Sequence, residues 1–221
     1  MSDSIAVEKT VEQKKGIWLT IATIAAVITL FMGMFFYKIT SPRILSNEQL
    51  QANRAFEFDA PRIIQKFELI DKDGNPFTIE QLKGSWSLIY FGFTHCPDVC
   101  PTTLSQLSKV MGYLDPEVRE KTQVIMVGVD YERDTPEKLD EYVRYFDEDF
   151  IGLAGDFHQI MAATRNFNVA FNKVPLGDDY TVDHTGHLAL VNPDGHYHGF
   201  FRPPFELSAL KLTFESIVYS Y

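Results

Sequence analysis

The chain contains two cysteines, Cys96 and Cys100, and three residues separate them in the segment YFGFTHCPDVCP. A cysteine thiolate is both a nucleophile and a soft metal ligand, so two thiols on one short segment suit disulfide exchange or a soft metal ion. A structural disulfide across so short a loop would constrain the unfolded chain little and would add little stability. We therefore predict a redox-active or metal-binding pair.

The prolines around this segment predict how the pair is presented. A helix that began at Pro97 would carry Pro101 in its interior, where proline costs about 3 kcal/mol, whereas proline is favoured at the first helical position. We predict a loop over residues 96–100 and a helix that begins at Pro101. Cys100 would then lie at a helix N-terminus, where the positive end of the helix dipole lowers the pKa of a thiol.

A metal site needs more than two thiols, since a closed structural zinc site has four ligands. Six histidines are available, namely His95, His158, His184, His187, His196 and His198. His184 and His187 lie in TVDHTGHLALVNPDG, before and beside an apolar run, and the loop that leads into this run could lie against the cysteine loop. The spacing of the apolar residues does not distinguish His184 from His187 as a ligand.

Five other polar residues have a functional and a structural interpretation. Asp130 ends a predicted strand at the same sheet edge as the cysteines, where a carboxylate could tune the site or receive a partner, or be structural. Asp134 is expected to cap the helix that follows it. His95 is expected to face solvent. His196 and His198 share one strand face, either as an accessory metal pair or as a polar hairpin surface.

The elements that position these residues alternate along the chain. Asp73-Gly74 predicts a hairpin turn, and apolar runs predict buried strands over 87–93, 124–129 and 188–191, the last paired with 196–201. Helical spacing predicts helices over 102–114, 136–146, 156–167 and 205–221. This order predicts an α/β fold, a thioredoxin-like mixed sheet flanked by helices. The cysteines then follow a buried strand at its carboxyl end, where the sites of open α/β sheets collect.

The N-terminal segment predicts a membrane anchor. Residues 16–37 contain no charged residue, and a helix of this length spans about 33 Å, which matches a bilayer core of about 30 Å. The segment is longer than the apolar region of a cleaved signal and lacks a small-residue cleavage site. We predict a tail over 1–15, a transmembrane anchor over 16–37, a connector over 38–60 and a folded domain over 61–221.

Charge gives the orientation and excludes one class of partner. Lys9, Lys14 and Lys15 precede the anchor, whereas Lys38 and Arg43 follow it. This bias predicts a cytoplasmic N-terminus and a C-terminal domain in the periplasm, or in the mitochondrial intermembrane space. The net charge of −10 argues against nucleic acid, which selects basic surfaces.

Three blocks of sequence carry a resemblance to a known family. YFGFTHCPDVCPTTL, VDYERDTPEKL and VDHTGHLALVNPDG, in this order and spacing, closely resemble the Sco/SenC family of membrane-anchored, thioredoxin-like copper proteins, which are associated with assembly of the copper site of cytochrome c oxidase. The resemblance extends from about residue 60 to the end of the sequence. It implies that the copper ligands are Cys96, Cys100 and His184. Tyr131 stands where the family often has proline, a change that we expect to be tolerated.

The resemblance and the chemistry together predict a copper metallochaperone. Thiolates select Cu(I) and imidazole binds Cu(I) and Cu(II), so the implied ligand set suits copper in either state. The predicted partners are a cytochrome c oxidase subunit or another copper protein, and the inner membrane through residues 16–37. The alternative is a membrane-tethered thiol–disulfide oxidoreductase in which Cys96 attacks the cysteines of a partner protein. A peroxidase-like thiol enzyme is a third, weaker hypothesis.

Overall fold

The computed structural model describes the backbone of residues 2–221 and the side chains of residues 17–39 and 41–221. The chain forms two compact units, Met1–Pro42 and Arg43–Tyr221. The N-terminal unit is built on helix α1, Ser2–Thr40. Lys9, Lys14 and Lys15, on which the predicted orientation depends, have side chains that lie outside the described residues.

Helix α1 contains an apolar stretch of the length that a membrane requires. Ile17–Ile39 has a mean hydropathy of 2.2, and none of it is buried against protein. Trp18 near one end and Tyr37 near the other are 73% and 75% exposed. A helix that is apolar all round and has no protein core to cover it is typical of a membrane span. The helix extends beyond both predicted bounds of the anchor, residues 16 and 37.

The second unit is organised around a six-stranded mixed sheet with the order β1-β10-β9-β4-β5-β6. Two additional two-stranded sheets, β2-β3 and β7-β8, lie outside it. The strands are β1 Ala55–Ile63, β2 Leu69–Ile70, β3 Pro76–Phe77, β4 Trp86–Gly92, β5 Thr122–Gly128, β6 Ile151–Leu153, β7 Phe171–Leu176, β8 Asp179–His184, β9 Leu188–Val191 and β10 His196–Phe201. The helices are α2 Asn47–Ala52, α3 Val99–Tyr113, α4 Pro116–Arg119, α5 Pro136–Arg144, α6 Phe157–Asn166 and α7 Leu207–Ser220, with a short 3₁₀ helix at Ile79–Leu82.

The central strand β4 explains why the sheet is mixed. All seven of its residues are buried, as an apolar run covered on both faces must be. It pairs in parallel with β5 and antiparallel with β9. The parallel strands β4 and β5 need a crossover connection, which α3 provides. The antiparallel strands β9 and β10 are joined directly by a tight turn. The predicted thioredoxin-like mixed sheet is confirmed.

The alternation of side chains along β4 shows that helices cover both faces of the sheet. A side chain at Gly92 would meet Tyr90 on its own strand and Cys100 on α3, and a side chain at Gly128 would meet Leu139 on α5. On the opposite face, the ring of Phe91 packs against that of Phe167 at the end of α6, with a centroid distance of 5.6 Å. Helices α3 and α5 therefore share one face and α6 covers the other.

The predicted connector over 38–60 is wrong for most of its length. Residues 43–60 belong to the folded unit, because α2 buries Leu50 and β1 pairs antiparallel with β10 at one edge of the sheet. Ala55 is fully buried. A side chain at Gly199 of β10 would clash with the Phe56 carbonyl oxygen, so the two strands approach closely only because this residue is glycine.

Two further strand regions were absent from the predicted elements. The short strand β6 extends the sheet beyond β5. The β7–β8 hairpin follows α6 and carries His184 at its last position. Its β7 strand is mostly exposed, so its sequence lacks the strong apolar alternation that identifies a buried strand.

Candidate metal centre

The cysteine loop connects the end of the central strand to a helix. Strand β4 ends at Gly92 and α3 begins at Val99, two residues before the predicted start at Pro101. Pro101 still lies in the first turn, where the backbone N–H that proline lacks has no partner within the helix. Cys100 is therefore inside the first turn of α3, while Cys96 precedes the helix. Both thiols are free and buried, with Cys96 8% exposed and Cys100 fully covered.

A glycine on β4 leaves the space that the Cys100 thiol occupies. A side chain at Gly92 would lie 3.0 Å from Cys100 Sγ and 2.8 Å from a ring carbon of Tyr90. The Tyr90 hydroxyl donates a hydrogen bond to Cys100 Sγ over 3.6 Å. Burial raises the pKa of Tyr90, so the hydroxyl keeps its proton and remains a donor. Cys100 is thus held between the central strand and its own helix.

The two thiols have opposite electrostatic environments. The pKa of Cys96 is lowered to about 5, first because the Cys100 thiol donates a hydrogen bond to it, and also because backbone N–H groups of Asp98 and Cys100 point at its sulfur. The Cys100 N–H to Cys96 Sγ distance is 3.3 Å. The expectation that the helix N-terminus lowers the pKa of Cys100 is wrong: this pKa is raised, because the thiol proton is shared with Cys96 and because the thiol is buried. At neutral pH the pair is one thiolate and one thiol, and the thiolate is Cys96.

His184 is the histidine that the fold brings to the cysteines. Its Nε2 atom lies 3.7 Å from Cys100 Sγ, although the two residues are 84 positions apart in sequence. The imidazole packs edge-on against Tyr90 and Phe93, with centroid distances of 6.0 and 5.9 Å. Its other ring nitrogen faces the Thr185 carbonyl oxygen at 3.3 Å, a contact that can fix which nitrogen is free to bind a metal.

The other histidines lie elsewhere or make other contacts. His187 is half-buried and its Nε2 atom lies 2.9 Å from the Phe167 carbonyl oxygen, and burial lowers its pKa. His95 is exposed, as predicted, and contacts the Thr94 hydroxyl. His198 is buried and pairs with Glu57 at 2.9 Å, so the expectation of a polar hairpin surface is wrong at this position. His196 is half-buried.

No group of three or more His, Cys, Asp or Glu side chains is ready to hold an ion without adjustment in the part of the chain that the structure describes. Cys100 and His184 are already close, and Cys96 is linked to Cys100 through the hydrogen bonds between them. Binding an ion among these three residues would replace the shared thiol proton and require a side-chain movement. The donor set itself, two sulfurs and one imidazole nitrogen, suits a soft metal ion.

An open cavity gives access to these residues. Its volume is about 640 Å³, and its walls come from the start of α3, from β8 and from the segment after β10. Cys96 and His184 line it, together with exposed Val99 at the start of α3. Cys100 does not line the cavity. A reagent, an ion or a partner side chain that enters the cavity therefore meets Cys96 and His184 first.

Asp130, the candidate carboxylate, is fully buried at the end of β5. Its two oxygens accept hydrogen bonds from Arg133 and from the hydroxyl of Tyr180 on β8. These contacts connect Asp130 to the hairpin that carries His184. Arg133 and Tyr180 are not among the residues that the sequence predicts for the site. The alternation of strand residues in DYTVDH, which puts Tyr180 on the same face as His184, is the signal that could have identified Tyr180.

The expectation that Asp134 caps a helix is wrong. Thr135 is the residue whose side chain caps α5. Asp134 is buried and instead accepts hydrogen bonds from the backbone N–H and the hydroxyl of Thr94, the latter over 2.6 Å. Burial raises the pKa of Asp134. Its second oxygen and the hydroxyl of Tyr142 are buried atoms without a hydrogen-bond partner among the described residues. Asp134 therefore holds the cysteine loop rather than a helix end.

Comparison with known proteins gives consistent results. The SCO1/SenC family model matches residues 57–215. A protein of Stutzerimonas stutzeri that is named for copper binding is 41% identical over 160 residues, which cover 71% of this chain and 78% of that protein. Protein SCO2 of Saccharomyces cerevisiae mitochondria is 38% identical over 180 residues, which cover 80% of this chain and 59% of the yeast protein.

Solved structures agree with the sequence comparisons. The crystal structure of Arabidopsis thaliana ScoI with copper bound superimposes with a TM-score of 0.67 at 32% sequence identity. The match covers 72% of this chain and all of that structure.

Proposed function

The chain belongs to the SCO1/SenC family, and from this premise we propose that it is a membrane-anchored copper metallochaperone whose ligands are Cys96, Cys100 and His184. The observation that carries the proposal is the 3.7 Å separation of Cys100 Sγ from His184 Nε2. Residues so distant in sequence meet beside a second thiol, in a chain whose relatives include copper-bound proteins.

The site is suited to a metal that is held and then passed on. Two thiolates favour Cu(I), and one imidazole completes a three-ligand set that leaves room for an incoming ligand from a partner. Cys96 is the first ligand available, because its pKa of about 5 leaves it ionised at neutral pH. Cys100 must lose its proton to bind. Oxidation of the pair to a disulfide would remove both sulfur ligands, so the redox state of the thiols controls copper loading.

The proposed recipient is a copper site of cytochrome c oxidase, or of another copper protein. The anchor over residues 16–37 would keep the domain at the surface of the inner membrane, with the domain in the periplasm or the mitochondrial intermembrane space. The cavity supports transfer, because a ligand from a recipient protein can reach Cys96 and His184 directly. After removal of the outer membrane, with the inner membrane kept intact, a thiol reagent that cannot cross membranes should label the reduced cysteines. Labelling only after the membrane is broken would contradict this topology.

The decisive measurement is copper stoichiometry and affinity of the reduced full-length protein in detergent micelles. We expect one Cu(I) per chain in the wild type, and a loss of affinity of more than about 100-fold in Cys96→Ser and Cys100→Ser, since even the outer partners of metal ligands are worth about 10- to 100-fold. We expect His184→Ala to weaken binding at least about tenfold. His95→Ala, a change of an exposed histidine next to Cys96, is the matched control and should bind as the wild type does.

Unchanged copper affinity in His184→Ala would reject the three-ligand site. Absence of copper binding by the reduced wild type would reject the metallochaperone proposal altogether.

A second candidate function, thiol–disulfide oxidoreductase, is favoured by the asymmetry of the two thiols. The Cys96 thiolate would attack a partner disulfide, forming a mixed disulfide and releasing one partner thiolate. Cys100 would then give up its proton and attack Cys96, which frees the second partner thiol and leaves the pair oxidised. Reduction of a protein disulfide at equal rates by the wild type and His184→Ala would support this function. Loss of that activity in His184→Ala would tie the chemistry to the metal site instead.

A further inference from the structure

The position of His184 depends on how the β7–β8 hairpin is held. The hairpin is a two-stranded sheet of its own and is not hydrogen-bonded to the central sheet. An isolated two-stranded hairpin is marginally stable in water. Its side-chain contacts with the rest of the domain must therefore determine where the His184 imidazole lies relative to the cysteines.

Tyr180 on β8 makes several of these contacts. The Tyr180 hydroxyl donates to Asp130 Oδ1 over 2.8 Å. The Arg133 guanidinium lies 3.8 Å from the centroid of the Tyr180 ring. The Lys173 ammonium, which belongs to the same hairpin and pairs with Glu132, lies 4.3 Å from that centroid. Arg133 also donates to the Tyr180 carbonyl oxygen over 3.1 Å. Two cations thus contact the aromatic ring through cation–π interactions, and the buried carboxylate of Asp130 accepts a hydrogen bond from the Tyr180 hydroxyl.

The neighbouring ion pairs attach the same part of the hairpin to the same segment. Arg133 donates to Asp179 over 3.2 Å, and Lys173 pairs with Glu132. Within the described residues, the polar contacts that hold the hairpin to the domain, other than that of His184, are made by residues 130–133. This segment follows β5, the parallel neighbour of the strand that leads to the cysteines.

Strand geometry connects Tyr180 to His184. Side chains alternate along a strand, so Tyr180, Val182 and His184 share one face of β8. Val182, between them, is buried against the domain. At about 3.3 Å per residue, Tyr180 and His184 are about 13 Å apart. The contacts of Tyr180 therefore hold the same short strand that carries His184.

We propose that Tyr180, held by Asp130, Arg133 and Lys173, is a positioning residue that fixes His184 beside Cys100 for metal binding. The inference rests on the proposed copper site and adds the residue that organises its third ligand. Tyr180 does not touch the metal. Its effect on affinity passes through His184, and this makes it separable from a general contribution to folding.

The test is a double-mutant cycle on the full-length protein in micelles, with Cu(I) affinity measured by competition with a chromophoric chelator. Tyr180→Phe keeps the ring between the cations and removes only the hydroxyl. We expect it to weaken Cu(I) binding about tenfold in the wild-type background, as loss of a contact that orients a ligand does. In the His184→Ala background, where there is no imidazole to position, we expect no further loss.

Controls separate positioning from unfolding. Tyr145→Phe makes the same chemical change at a tyrosine that is 85% exposed, and should leave affinity unchanged. Arg133→Gln removes the guanidinium that contacts both the Tyr180 ring and the Asp130 carboxylate. It should weaken Cu(I) binding as Tyr180→Phe does. Nitrogen coupling in the electron paramagnetic resonance spectrum of the Cu(II) form should weaken in Tyr180→Phe but persist in Tyr145→Phe. Thermal unfolding of each variant confirms that the fold is intact.

Each outcome decides the inference. An equal loss of affinity in the wild-type and His184→Ala backgrounds would overturn it, because the tyrosine would then act on the whole domain. Unchanged affinity in Tyr180→Phe, while His184→Ala weakens binding, would overturn the positioning role and leave the proposed function in place. If His184→Ala itself has no effect, the three-ligand site and the positioning role both fail.

Discussion

The two halves of the candidate site belong to very different parts of the domain. The cysteine loop joins the central strand β4 to α3, and the parts of these two elements beside it are buried: Tyr90, Cys100 and Leu104 are each no more than 1% exposed. The β7–β8 hairpin lies apart from the main sheet, and Val174 and Leu176 on it are 39% and 66% exposed. One side of the site is part of the core, and the other is attached to it by side chains.

This difference has a consequence for a protein that must give up its metal. Local opening of a structure requires less free energy where few apolar contacts are lost. We therefore expect local opening of the hairpin to cost less free energy than local opening of the cysteine loop. On the proposed function, two ligands remain fixed and the third is the one that can be withdrawn when a recipient approaches.

The strongest expected contrast is in thiol reactivity. Cys96 should react with iodoacetamide with a pH midpoint of about 5, the pKa that its hydrogen bonds from Cys100 and the backbone produce, rather than the ordinary 9.0. Rates of alkylation at each cysteine, followed by mass spectrometry from pH 4 to pH 10, measure this. Cys100 should react more slowly at every pH because it is covered.

Cys100→Ala is the control for the cause of the shift. It removes the main hydrogen-bond donor, so the midpoint of Cys96 should move upward toward 9.0. His184→Ala removes a smaller contribution and should move it less. A wild-type midpoint near 9.0 would contradict the lowered pKa of Cys96 in the metal-free protein.

The next contrast is in stability. Leu104 is fully buried on α3 and Val182 is 5% exposed on β8. We expect Leu104→Ala to lower the free energy of unfolding by about 2–5 kcal/mol, because it leaves a cavity in a rigid core. We expect Val182→Ala to lower it by only about 1.5 kcal/mol, the value of the two lost methyl groups. Urea unfolding of the full-length protein in micelles measures both. Equal losses would mean that the hairpin is as firmly packed as the core.

The same contrast explains how much of the structure is readable from the sequence. The strands around β4 were predicted within about two residues because their apolar runs are buried on both faces, and burial is what the pattern reports. The β7–β8 hairpin was missed because exposed strands carry no such pattern. Strand β1 was missed because an edge strand with mixed polarity resembles a connector until its partner, β10, is known.

The candidate site was likewise predictable only in part from the sequence. Cys96 and Cys100 were identifiable from residue type and spacing alone. His184 was not distinguishable from His187 by periodicity, since the choice depends on a hairpin that the pattern does not reveal. Only the family resemblance selected it. The predicted role of Asp134 is wrong. In Asp134-Thr135-Pro136 either of the first two residues could cap the helix, and the sequence alone does not distinguish them. In the structure Thr135 is the cap.

Asp134 provides the smallest and most local of the expected effects, and it concerns the core side of the site alone. Its carboxyl is buried and its pKa is raised above 3.8, mainly by that burial. The stability that the neutral carboxyl gives is fully present below pH 3.8 and is lost as the pH rises through the higher pKa of the folded state. Asp134→Asn keeps an oxygen that can accept both hydrogen bonds from Thr94 and cannot ionise. We expect the variant to be more stable than the wild type at neutral pH, by on the order of 1 kcal/mol.

Urea unfolding from pH 3 to pH 8 tests this, and the difference between the two proteins should disappear at the acid end. Asp156→Asn is the matched control, because Asp156 is exposed and caps α6 through an oxygen that asparagine also provides, so its stability should follow the wild type at every pH. Asp134 contacts the loop before Cys96 and makes no hydrogen bond to the hairpin. Asp134→Asn should therefore leave the contribution of His184 to copper affinity unchanged. A reduced effect of His184→Ala in the Asp134→Asn background would instead show that the core side and the hairpin side of the site are energetically coupled.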